Sequence, residues 1–536
     1  MTATLYTNGR IFTGRSEDDF ASAMWVENGR FTWVGDAVGV SAGGPPGSRT
    51  IDLRGRTIIP GLLDVHTHPA LIAETVGAVA CTPPLVNSIE DMVRALRASP
   101  AAGAGEDAWI EGWGYDESKL AEGRTPTARD LDRVSTTQPV YVMRSDCHSA
   151  VCNSRALQLA GISRDTPDPE GARFGRDEDG EPNGILVELA AKDRVSGARS
   201  GTGHDQQAER IARTSAHFSE RGIVAVTDML SLTEPYRYLD LYRAASARGL
   251  RQQVVLYLSW SELAAKPLAD LGPADREGDV RVGGLKLFMD GSVSGRTAWM
   301  AEPYRDSDEH GMALVADDAI DAALAYARRN RVQLAFHVMG DRAIDHVLDR
   351  LAGEEPWMGD LPSVRLDHAT MLGPAHVERI RRARMRFGAV TQVIFFFAEH
   401  DSYAANLTPA QYRRAYPLRT LYHGLERLAL SSDCPATTWA DPDNVFTSIK
   451  AAVTRRAYNG ADIVAGEAIT VPQALLLYTG RARQLADFPA VGLIEPGFDA
   501  SFVELDRDIF TVPAEEIDQV GVERTFIRGE LVFERS

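Results

Sequence analysis

Cysteine is scarce in this chain, and its cysteines form no closely spaced pair. The four are Cys81, Cys147, Cys152 and Cys434, with no CxxC motif among them. The sequence therefore has neither the paired cysteines of a structural zinc site nor the cysteine density of a small disulfide-stapled secreted domain. Four cysteines in 536 residues indicate a reduced, intracellular protein.

Targeting signals, long apolar runs and basic clusters are also missing. The N-terminus MTATLYTNGRIF lacks the basic and apolar regions of a signal peptide, and no apolar run reaches the roughly 20 residues that cross a bilayer. A net charge of −18 without any Lys/Arg-rich run argues against nucleic acid or an anionic membrane as a partner. We therefore expect a soluble cytoplasmic protein with a small-molecule substrate. A homodimer is a further hypothesis that no motif supports.

The sequence does contain a regular alternation of apolar β-branched runs and helical stretches, which is typical of βα units and a parallel sheet. The candidate strands are residues 58–66, 222–229, 251–259, 282–289, 331–337, 363–368, 386–392 and 427–433. Eight strands are the number that a closed (β/α)₈ barrel requires. We therefore predict an α/β fold built on a TIM-type barrel.

The two ends of the chain show short β-rich runs instead. Asn8-Gly9, Asn28-Gly29 and Arg528-Gly529 lie between such runs, and Asn-Gly is a strong hairpin signal. Neither end is long enough to form a comfortable domain alone. We therefore predict one small β-sandwich domain that both termini build together.

These patterns predict three parts of the chain. Residues 1–57 and 484–536 would form the composite sandwich, and residues 58–69 and 217–483 the barrel. Residues 70–216 are too long for a single βα loop and contain a further strand at 138–145. We predict that they form an inserted α/β subdomain that caps the barrel mouth.

Two histidines one residue apart, His66 and His68, end the first predicted barrel strand in LLDVHTHPA. Residues i and i+2 of a strand share a face, so both could project into the mouth, where such barrels hold their active sites. Alone, the pair is weak evidence for a metal site. Short motifs match by chance, and two polar residues at a strand end are a simpler explanation.

Titratable residues also end four other predicted strands. They are Lys286, His337, His368 and Asp433. Each histidine alone could be a hydrogen-bonded core residue, and Lys286 could form a salt bridge. Burying six such groups on five strands without partners would be costly, however. A shared metal centre satisfies all of them, since imidazole and carboxylate are expected ligands of zinc and similar ions.

These motifs, in this order, resemble the metal-dependent amidohydrolase superfamily. The set includes HTH (66–68), KLFMDGS (286–292), HVMGD (337–341), LDHA (366–369) and SSDCP (431–435), and GWGYDES (112–118) and DGEPNGILVE (179–188) extend the match into the insert. The spacing is similar to that of the YtcJ-like, amidohydrolase-3 branch, which includes N-substituted formamide deformylases. Such a set is specific for the fold and the metal chemistry and poorly specific for the substrate.

The resemblance implies two pairs of imidazole ligands. His66 and His68 would bind the more buried metal ion, and His337 and His368 would bind a second one. Zinc is the expected divalent metal, with one or two ions per chain.

The resemblance also implies roles for the remaining two residues. Lys286, carboxylated by CO₂, would bridge the ions, because a carbamate offers two anionic oxygens suited to metals roughly 3.5–4 Å apart. An unmodified Lys286 would leave a one-metal site, and the sequence does not choose between the two. Asp433 would ligate a metal and act as general base, taking a proton as metal-bound hydroxide attacks a carbonyl and passing it to the leaving nitrogen.

Several further residues are candidates for contact with the substrate or with a ligand. The substrate candidates are Asp290, Arg296 and Gln392 in the barrel and Trp113, Tyr115 and His148 in the insert. Asp341 in HVMGD is the candidate that would orient His337 from the outer shell, with a helix N-cap as the equally good alternative.

The insert candidates have alternatives too. The related branch more often has DGH where this chain has Asp146-Cys147-His148. Cys147 in place of this glycine lies next to His148, a candidate substrate contact, so the change would either alter substrate specificity or affect packing alone. Trp113 and Tyr115 would wall an apolar substrate pocket, although large aromatic side chains more often belong to a core.

These observations predict a metal-dependent hydrolase that cleaves a C–N amide-type bond in an N-formyl, N-acyl or cyclic amide. Two alternatives stay open. The same site could hydrolyse carbamates, esters or lactones, or the chain could be a metal-free, amidohydrolase-like scaffold that serves as an interaction module. The scaffold is disfavoured because all six ligand positions are filled. A serine hydrolase is disfavoured because no GxSxG nucleophile elbow is evident between a predicted strand and a helix. A nucleotide-binding protein is disfavoured because GxGxxG and Walker motifs are missing.

Overall fold

The structure of the protein is a computed structural model that describes residues 3–39, 47–199, 203–266 and 269–536. The chain divides into two units, each with its own core. The first unit comprises Met1–Pro69, Ile211–Ser432 and Asp443–Ser536, and the second comprises Ala70–Arg210 and Asp433–Pro442.

Most strands in the described residues are short. In chain order they are β1 (Thr4–Thr7), β2 (Arg10–Phe12), β3 (Phe20–Ala21), β4 (Ala23–Glu27), β5 (Arg30–Gly35), β6 (Arg49–Asp52), β7 (Thr57–Pro60), β8 (Leu62–Thr67), β9 (Val79–Ala80), β10 (Ile110–Tyr115), β11 (Val140–Arg144), β12 (Ala150–Cys152), β13 (Arg173–Arg176), β14 (Pro182–Val187), β15 (Ile223–Ser231), β16 (Gln253–Ser259), β17 (Val280–Phe288), β18 (Gln333–Val338), β19 (Val364–His368), β20 (Phe387–Thr391), β21 (Leu428–Leu430), β22 (Phe502–Leu505), β23 (Val522–Ile527) and β24 (Glu530–Glu534).

The helices lie between these strands. They are α1 (Pro69–Thr75), α2 (Ile89–Arg97), α3 (Ala128–Asp132), α4 (Ser154–Leu159), α5 (Leu189–Ser196), α6 (His204–Glu220), α7 (Tyr238–Ala247), α8 (Trp260–Ala264), α9 (Asp317–Asn330), α10 (Asp341–Leu351), α11 (Pro374–Arg382), α12 (Val393–Ala398), α13 (His400–Asn406), α14 (Pro409–Arg414), α15 (Leu418–Gly424), α16 (Val445–Thr454) and α17 (Val471–Leu476). Short 3₁₀ helices lie at Ala37–Gly39, Glu117–Lys119, Pro273–Arg276, Ala465–Glu467, Ala482–Gln484 and Ala514–Gln519. In this described part of the chain, no helix combines the length and apolarity needed to cross a membrane.

Eight strands of the first unit form one parallel sheet in the order β8, β15, β16, β17, β18, β19, β20 and β21. They are the eight predicted barrel strands in chain order, so that prediction is confirmed. Between the first and last strands, the amides of Leu63 and Leu430 donate to the carbonyls of Tyr478 and Leu477, at 2.8 and 3.1 Å. The sheet is therefore a nearly closed TIM-type barrel. Apolar side chains of its strands, including Val65, Val255, Ala335 and Ala429, belong to one buried cluster.

The first predicted strand, 58–66, is in fact two strands. β7 pairs with β2 and β22 in a terminal sheet, whereas β8 belongs to the barrel. Gly61 joins them, and its N–H donates to the carbonyl of Ser501 at 2.9 Å. A Cβ at Gly61 would lie 2.5 and 2.6 Å from the two methyl carbons of Val224, so the crossing leaves no space for a side chain. The apolar run alone does not reveal this change of sheet.

We expect Gly61→Ala to lower the free energy of unfolding by about 1–3 kcal/mol, because the added methyl overlaps Val224 in a packed region. Urea unfolding measures this loss. Gly353→Ala is the matched control, since a Cβ at Gly353 meets nothing within 4 Å, and its change should stay within about 0.5 kcal/mol. Similar losses in both variants would contradict the close approach at Gly61.

The chain ends contribute two further sheets to the first unit. One has the order β5, β4, β1, β6, and the other has the order β24, β23, β22, β7, β2, β3. Buried side chains from both sheets, including Tyr6, Phe31, Ile58 and Phe502, belong to one apolar cluster. The predicted arrangement of these sheets as a sandwich domain stays a prediction.

Tight turns connect two of the predicted hairpins. Asn28 and Gly29 join β4 to β5 with φ values of 50° and 76°, and Arg528 and Gly529 join β23 to β24 with φ values of 50° and 75°. Positive φ at both loop residues is typical of the type I′ turn. The hairpin predicted at Asn8-Gly9 is wrong, because β1 and β2 enter different sheets.

The second unit is built on its own six-stranded sheet, in the order β13, β14, β12, β11, β10, β9. Strands β9, β10 and β11 are parallel, and the others pair antiparallel. The strand predicted at 138–145 is β11, so that prediction is confirmed. Two apolar clusters form the core of this unit, one that includes Trp113 and one that includes Tyr115.

Candidate metal centre at the ends of the barrel strands

Four imidazole rings gather at the C-terminal ends of β8, β18 and β19. The ring centre of His66 lies 4.7 Å from that of His368 and 5.9 Å from that of His68, while His337 and His368 are 4.1 Å apart. His66 is only 1% exposed. The parallel strands, which all end at the same edge, thus bring together the four predicted histidines.

Lys286, near the end of β17, lies beside this group. Its Nζ is 3.5 Å from Nε2 of His66, and the residue is 1% exposed. The ring of Phe288 lies 5.3 Å from the same Nζ. The amine therefore sits at the ring nitrogen through which His66 could bind a metal ion.

Asp433 completes a group that could hold a metal ion. One ligand atom each of His66, His68 and Asp433 lies within 4.8 Å of the others, and all three residues are buried. Asp433 and His368 have φ values of 56° and 71°, in the left-handed region that aspartate and histidine enter more readily than most residues. Backbone strain of this kind clusters at functional sites.

Three imidazoles of this group have a lowered pKa, which favours their neutral form. Burial, followed by the charge of Lys286 or of neighbouring histidines, lowers the pKa of His66 and His368 well below the ordinary value and that of His337 to about 3. A neutral imidazole keeps the lone pair that a metal ion needs. Several neutral imidazoles and a carboxylate are a donor set that suits zinc and similar divalent ions.

Asp64 connects the first barrel strand to the last. It shares a face of β8 with His66, and its Oδ2 accepts from Oγ of Ser432 at 2.5 Å while its Oδ1 accepts from the Ser432 amide at 3.2 Å. Burial raises the pKa of Asp64 to about 7, against the effect of these hydrogen bonds. The contact holds the backbone immediately before Asp433.

The ring of His66 has a buried partner that the sequence interpretation missed. Its Nδ1 lies 2.9 Å from Oδ2 of Asp367, and both side chains are buried. Arg365 donates to both carboxylate oxygens of Asp367, at 3.1 Å each. The signal in the sequence is the alternation Arg365-Leu366-Asp367, which puts two charges on one face of an otherwise apolar strand.

Asp341, the residue predicted to orient His337, makes other contacts. Its Oδ1 accepts from the amides of Ala301 and Arg342, at 2.7 and 3.0 Å, as it begins α10. Nε2 of His337 instead lies 3.1 Å from the carbonyl of Gly291. The described partners of Asp341 are thus backbone amides, and its predicted role in orienting His337 stays a prediction.

Asp290 joins the loops that follow β17 and β18. Its carboxylate accepts from the amides of Met339, Gly340 and Trp299, at 3.0, 2.8 and 2.9 Å, and lies 3.7 Å from Nε2 of His337. Burial raises the pKa of Asp290 to about 7, although these amides lower it. The described contacts are thus with the backbone beside His337, while its predicted contact with the substrate stays a prediction.

The other barrel candidates have partners inside the first unit. Nε of Arg296 donates to Oδ1 of Asn406 at 2.8 Å, and Nε2 of Gln392 donates to Oγ of Ser431 at 2.9 Å. Oε1 of Gln392 has no hydrogen-bond partner among the described residues. Phe395, four residues into the chain after β20, stacks beside His368 with ring centres 6.1 Å apart. Their contact with a substrate stays a prediction.

The three insert candidates differ in exposure. Trp113 and Tyr115 lie on β10 and are buried in the apolar clusters of the second unit. The side chain of His148 is 56% exposed, and its Nδ1 lies 3.3 Å from Oε2 of Glu188. The burial of Trp113 and Tyr115 is what a packing role in the core would require. A role in substrate binding for any of the three residues stays a prediction.

Comparison with known proteins agrees with this geometry. A family model described as "Amidohydrolase family" matches residues 49–533. The chain is 26% identical to the N-substituted formamide deformylase of Arthrobacter pascens, covering 100% of this chain and 99% of that protein, and 28% identical to the putative amidohydrolase YtcJ of Bacillus subtilis (strain 168), covering 99% of each. A crystal structure of an uncharacterized metal-dependent hydrolase from Pyrococcus furiosus aligns with a TM-score of 0.71 at 26% identity, covering 95% of this chain and 100% of that one. The resemblance inferred from the motifs is confirmed: the chain belongs to the amidohydrolase family and is a hydrolytic enzyme.

Proposed function

We propose that the protein is a metal-dependent hydrolase of C–N amide-type bonds, acting on an N-formyl, N-acyl or cyclic amide. The observation that carries the proposal is the gathering of three buried histidines, the partly buried His337, Lys286 and Asp433 where the barrel strands end. The similarity to an N-substituted formamide deformylase supports the amide class, and the similarity to a metal-dependent hydrolase from Pyrococcus furiosus supports the metal.

These residues could hold a divalent ion, with zinc the expected identity, which would supply Lewis acidity to the substrate carbonyl and to the attacking water. Asp433 takes the proton from that water and returns it to the leaving nitrogen. His66 and His68 would hold the ion, and the lowered pKa of His66 favours the neutral ring that binds without first losing a proton. Burial of these groups keeps bulk water away and strengthens their electrostatic interactions.

We also propose that Lys286 is carboxylated and completes a two-ion site. In this step the neutral amine forms an N–C bond with CO₂ and releases one proton, which leaves an anionic carbamate. An ammonium 3.5 Å from Nε2 of His66 would repel a metal ion bound there, whereas a carbamate attracts it. An unmodified Lys286 with one ion is the alternative. The small-molecule partner, the cytoplasmic location and the homodimer stay predictions.

We expect protein purified after zinc-supplemented expression to contain at least one divalent ion per chain, and two if Lys286 is carboxylated. Elemental analysis measures the content. Removal of the metal by a chelator should abolish hydrolysis, and zinc should restore it, in a screen of N-formyl amines, N-acyl amino acids, cyclic amides, carbamates, esters and lactones. Active protein that holds well under one ion per chain would contradict metal dependence, and preference for carbamates, esters or lactones would contradict the amide class.

A further inference from the structure

A series of buried polar contacts runs from the ring of His66 to Gln333. Oδ2 of Asp367 lies 2.9 Å from Nδ1 of His66, and Arg365 donates to both oxygens of Asp367. Arg365 also donates to the hydroxyl of Tyr257 at 2.8 Å, and that hydroxyl donates to Oε1 of Gln333 at 2.5 Å. Every side chain in this series is buried.

Packing alone does not explain an ion pair in this position. Removing both charges from water costs several kcal/mol per ion, and apolar residues of similar volume often replace buried pairs without loss of stability. The pair is nevertheless fully buried, and its geometry is bidentate. Asp367 and Tyr257 raise the pKa of Arg365, overcoming the opposite effect of burial, so the guanidinium stays charged.

Arg365 anchors two neighbours of the metal centre. Nη2 of Arg365 donates at 2.7 Å to the carbonyl of Val65, the residue directly before His66. The same guanidinium holds the carboxylate of Asp367 at Nδ1 of His66. The backbone and the ring of His66 are thus fixed by one buried cation.

We propose that Asp367 is a positioning residue that sets the tautomer and orientation of His66 for metal binding. Oδ2 of Asp367 lies 2.9 Å from Nδ1 of His66, so its negative charge favours a proton on Nδ1 and leaves the lone pair on Nε2, the nitrogen that lies 3.5 Å from Nζ of Lys286. A carboxylate in this position is the partner that metal-binding histidines commonly have. Arg365 balances the charge of Asp367 and holds it in place. This inference rests on the proposed metal-dependent function.

The decisive variant is Arg365→Met combined with Asp367→Leu. It removes both charges together, so no buried ion is left unpaired, and the barrel should stay folded. His66 loses its orienting acceptor, and we expect the zinc affinity, measured by competition with a chromogenic chelator, to fall about 10- to 100-fold. The urea midpoint should stay close to that of the wild type.

Tyr257→Phe is the matched control. It removes a hydrogen bond on the other side of Arg365 and leaves Asp367 in contact with His66. Its urea midpoint should fall, because Nη1 of Arg365 loses its acceptor and Oε1 of Gln333 loses its donor, while its zinc affinity stays within about twofold of the wild type. Equal losses of zinc affinity in Tyr257→Phe and in the double variant would show a general loosening and would overturn the positioning role.

Nitrogen NMR of wild-type protein labelled at histidine gives a readout that does not depend on folding of the double variant. The His66 signal is assigned by its loss in His66→Gln. We expect its proton on Nδ1 both without metal and with zinc bound. A proton on Nε2 in the metal-free protein, or unchanged zinc affinity in the folded double variant, would overturn the inference while leaving the metal-dependent function intact. Wild-type protein that binds no zinc would overturn both.

Discussion

Asp433→Asn is expected to lower kcat by at least about 1,000-fold while leaving the fold intact. The change removes the group that accepts the proton from water, and general acid–base catalysis alone contributes about 10²- to 10⁴-fold. It also replaces an anionic candidate ligand by a neutral amide. Asparagine has the same shape and tolerates the positive φ of 56° at this position, so stability should change little. Steady-state hydrolysis of the best amide substrate and circular dichroism test both parts.

The control for this variant is Asp306→Asn, whose side chain is 89% exposed and which also has a positive φ. Its kcat should match the wild type. Metal content separates the two roles of Asp433: retained metal with lost turnover indicates the base, and lost metal indicates the ligand. A kcat within tenfold of the wild type would remove Asp433 from both roles.

Arg365→Met alone should have the largest effect on stability, a loss of about 3–5 kcal/mol in the free energy of unfolding. The single change leaves the charge of Asp367 buried without its bidentate partner. The penalty therefore comes mainly from the stranded carboxylate, and adding Asp367→Leu should recover most of it. Urea unfolding of the two single variants and the double variant forms a thermodynamic cycle that measures the coupling.

Arg328→Met is the comparison on the protein surface. Its guanidinium contacts Glu354 at 2.6 Å with both side chains partly exposed, so its loss should cost about 0–1 kcal/mol. Similar losses of unfolding free energy in Arg365→Met and Arg328→Met would show that leaving the carboxylate of Asp367 buried without Arg365 carries no large penalty.

The sequence alone determined the strand order and the metal-ligand candidates. Apolar runs separated by helical stretches are local signals, and every strand of a parallel barrel ends at the same edge. A titratable residue at the end of each run therefore predicts a shared site without any knowledge of contacts. His66, Lys286, His337 and His368 meet for this reason.

The tertiary structure alone decided which groups support those ligands. Asp367 lies beside the ring of His66, and Arg365 donates to the carbonyl of Val65, from which 300 residues separate it in sequence. No local pattern in the sequence specifies either contact. Asp341 is near His337 in sequence, but its described hydrogen bonds are with the backbone amides of Ala301 and Arg342. Strand ends follow from periodicity along the chain, whereas the partner of a buried side chain depends on which distant strand packs against it.

The same distinction explains the errors at the N-terminus. The turn at Asn28-Gly29 follows from local backbone preferences, since its two strands are neighbours in the same sheet. Gly61 and Asn8-Gly9 also carry local signals, yet the chain changes sheets at both points. A sheet is chosen by burial of apolar surface across many strands, and that non-local free energy overrides local preference. The sequence thus determined the number and the order of the barrel strands, and the packing of distant strands decided where the first of them divides and which neighbours the terminal strands acquired.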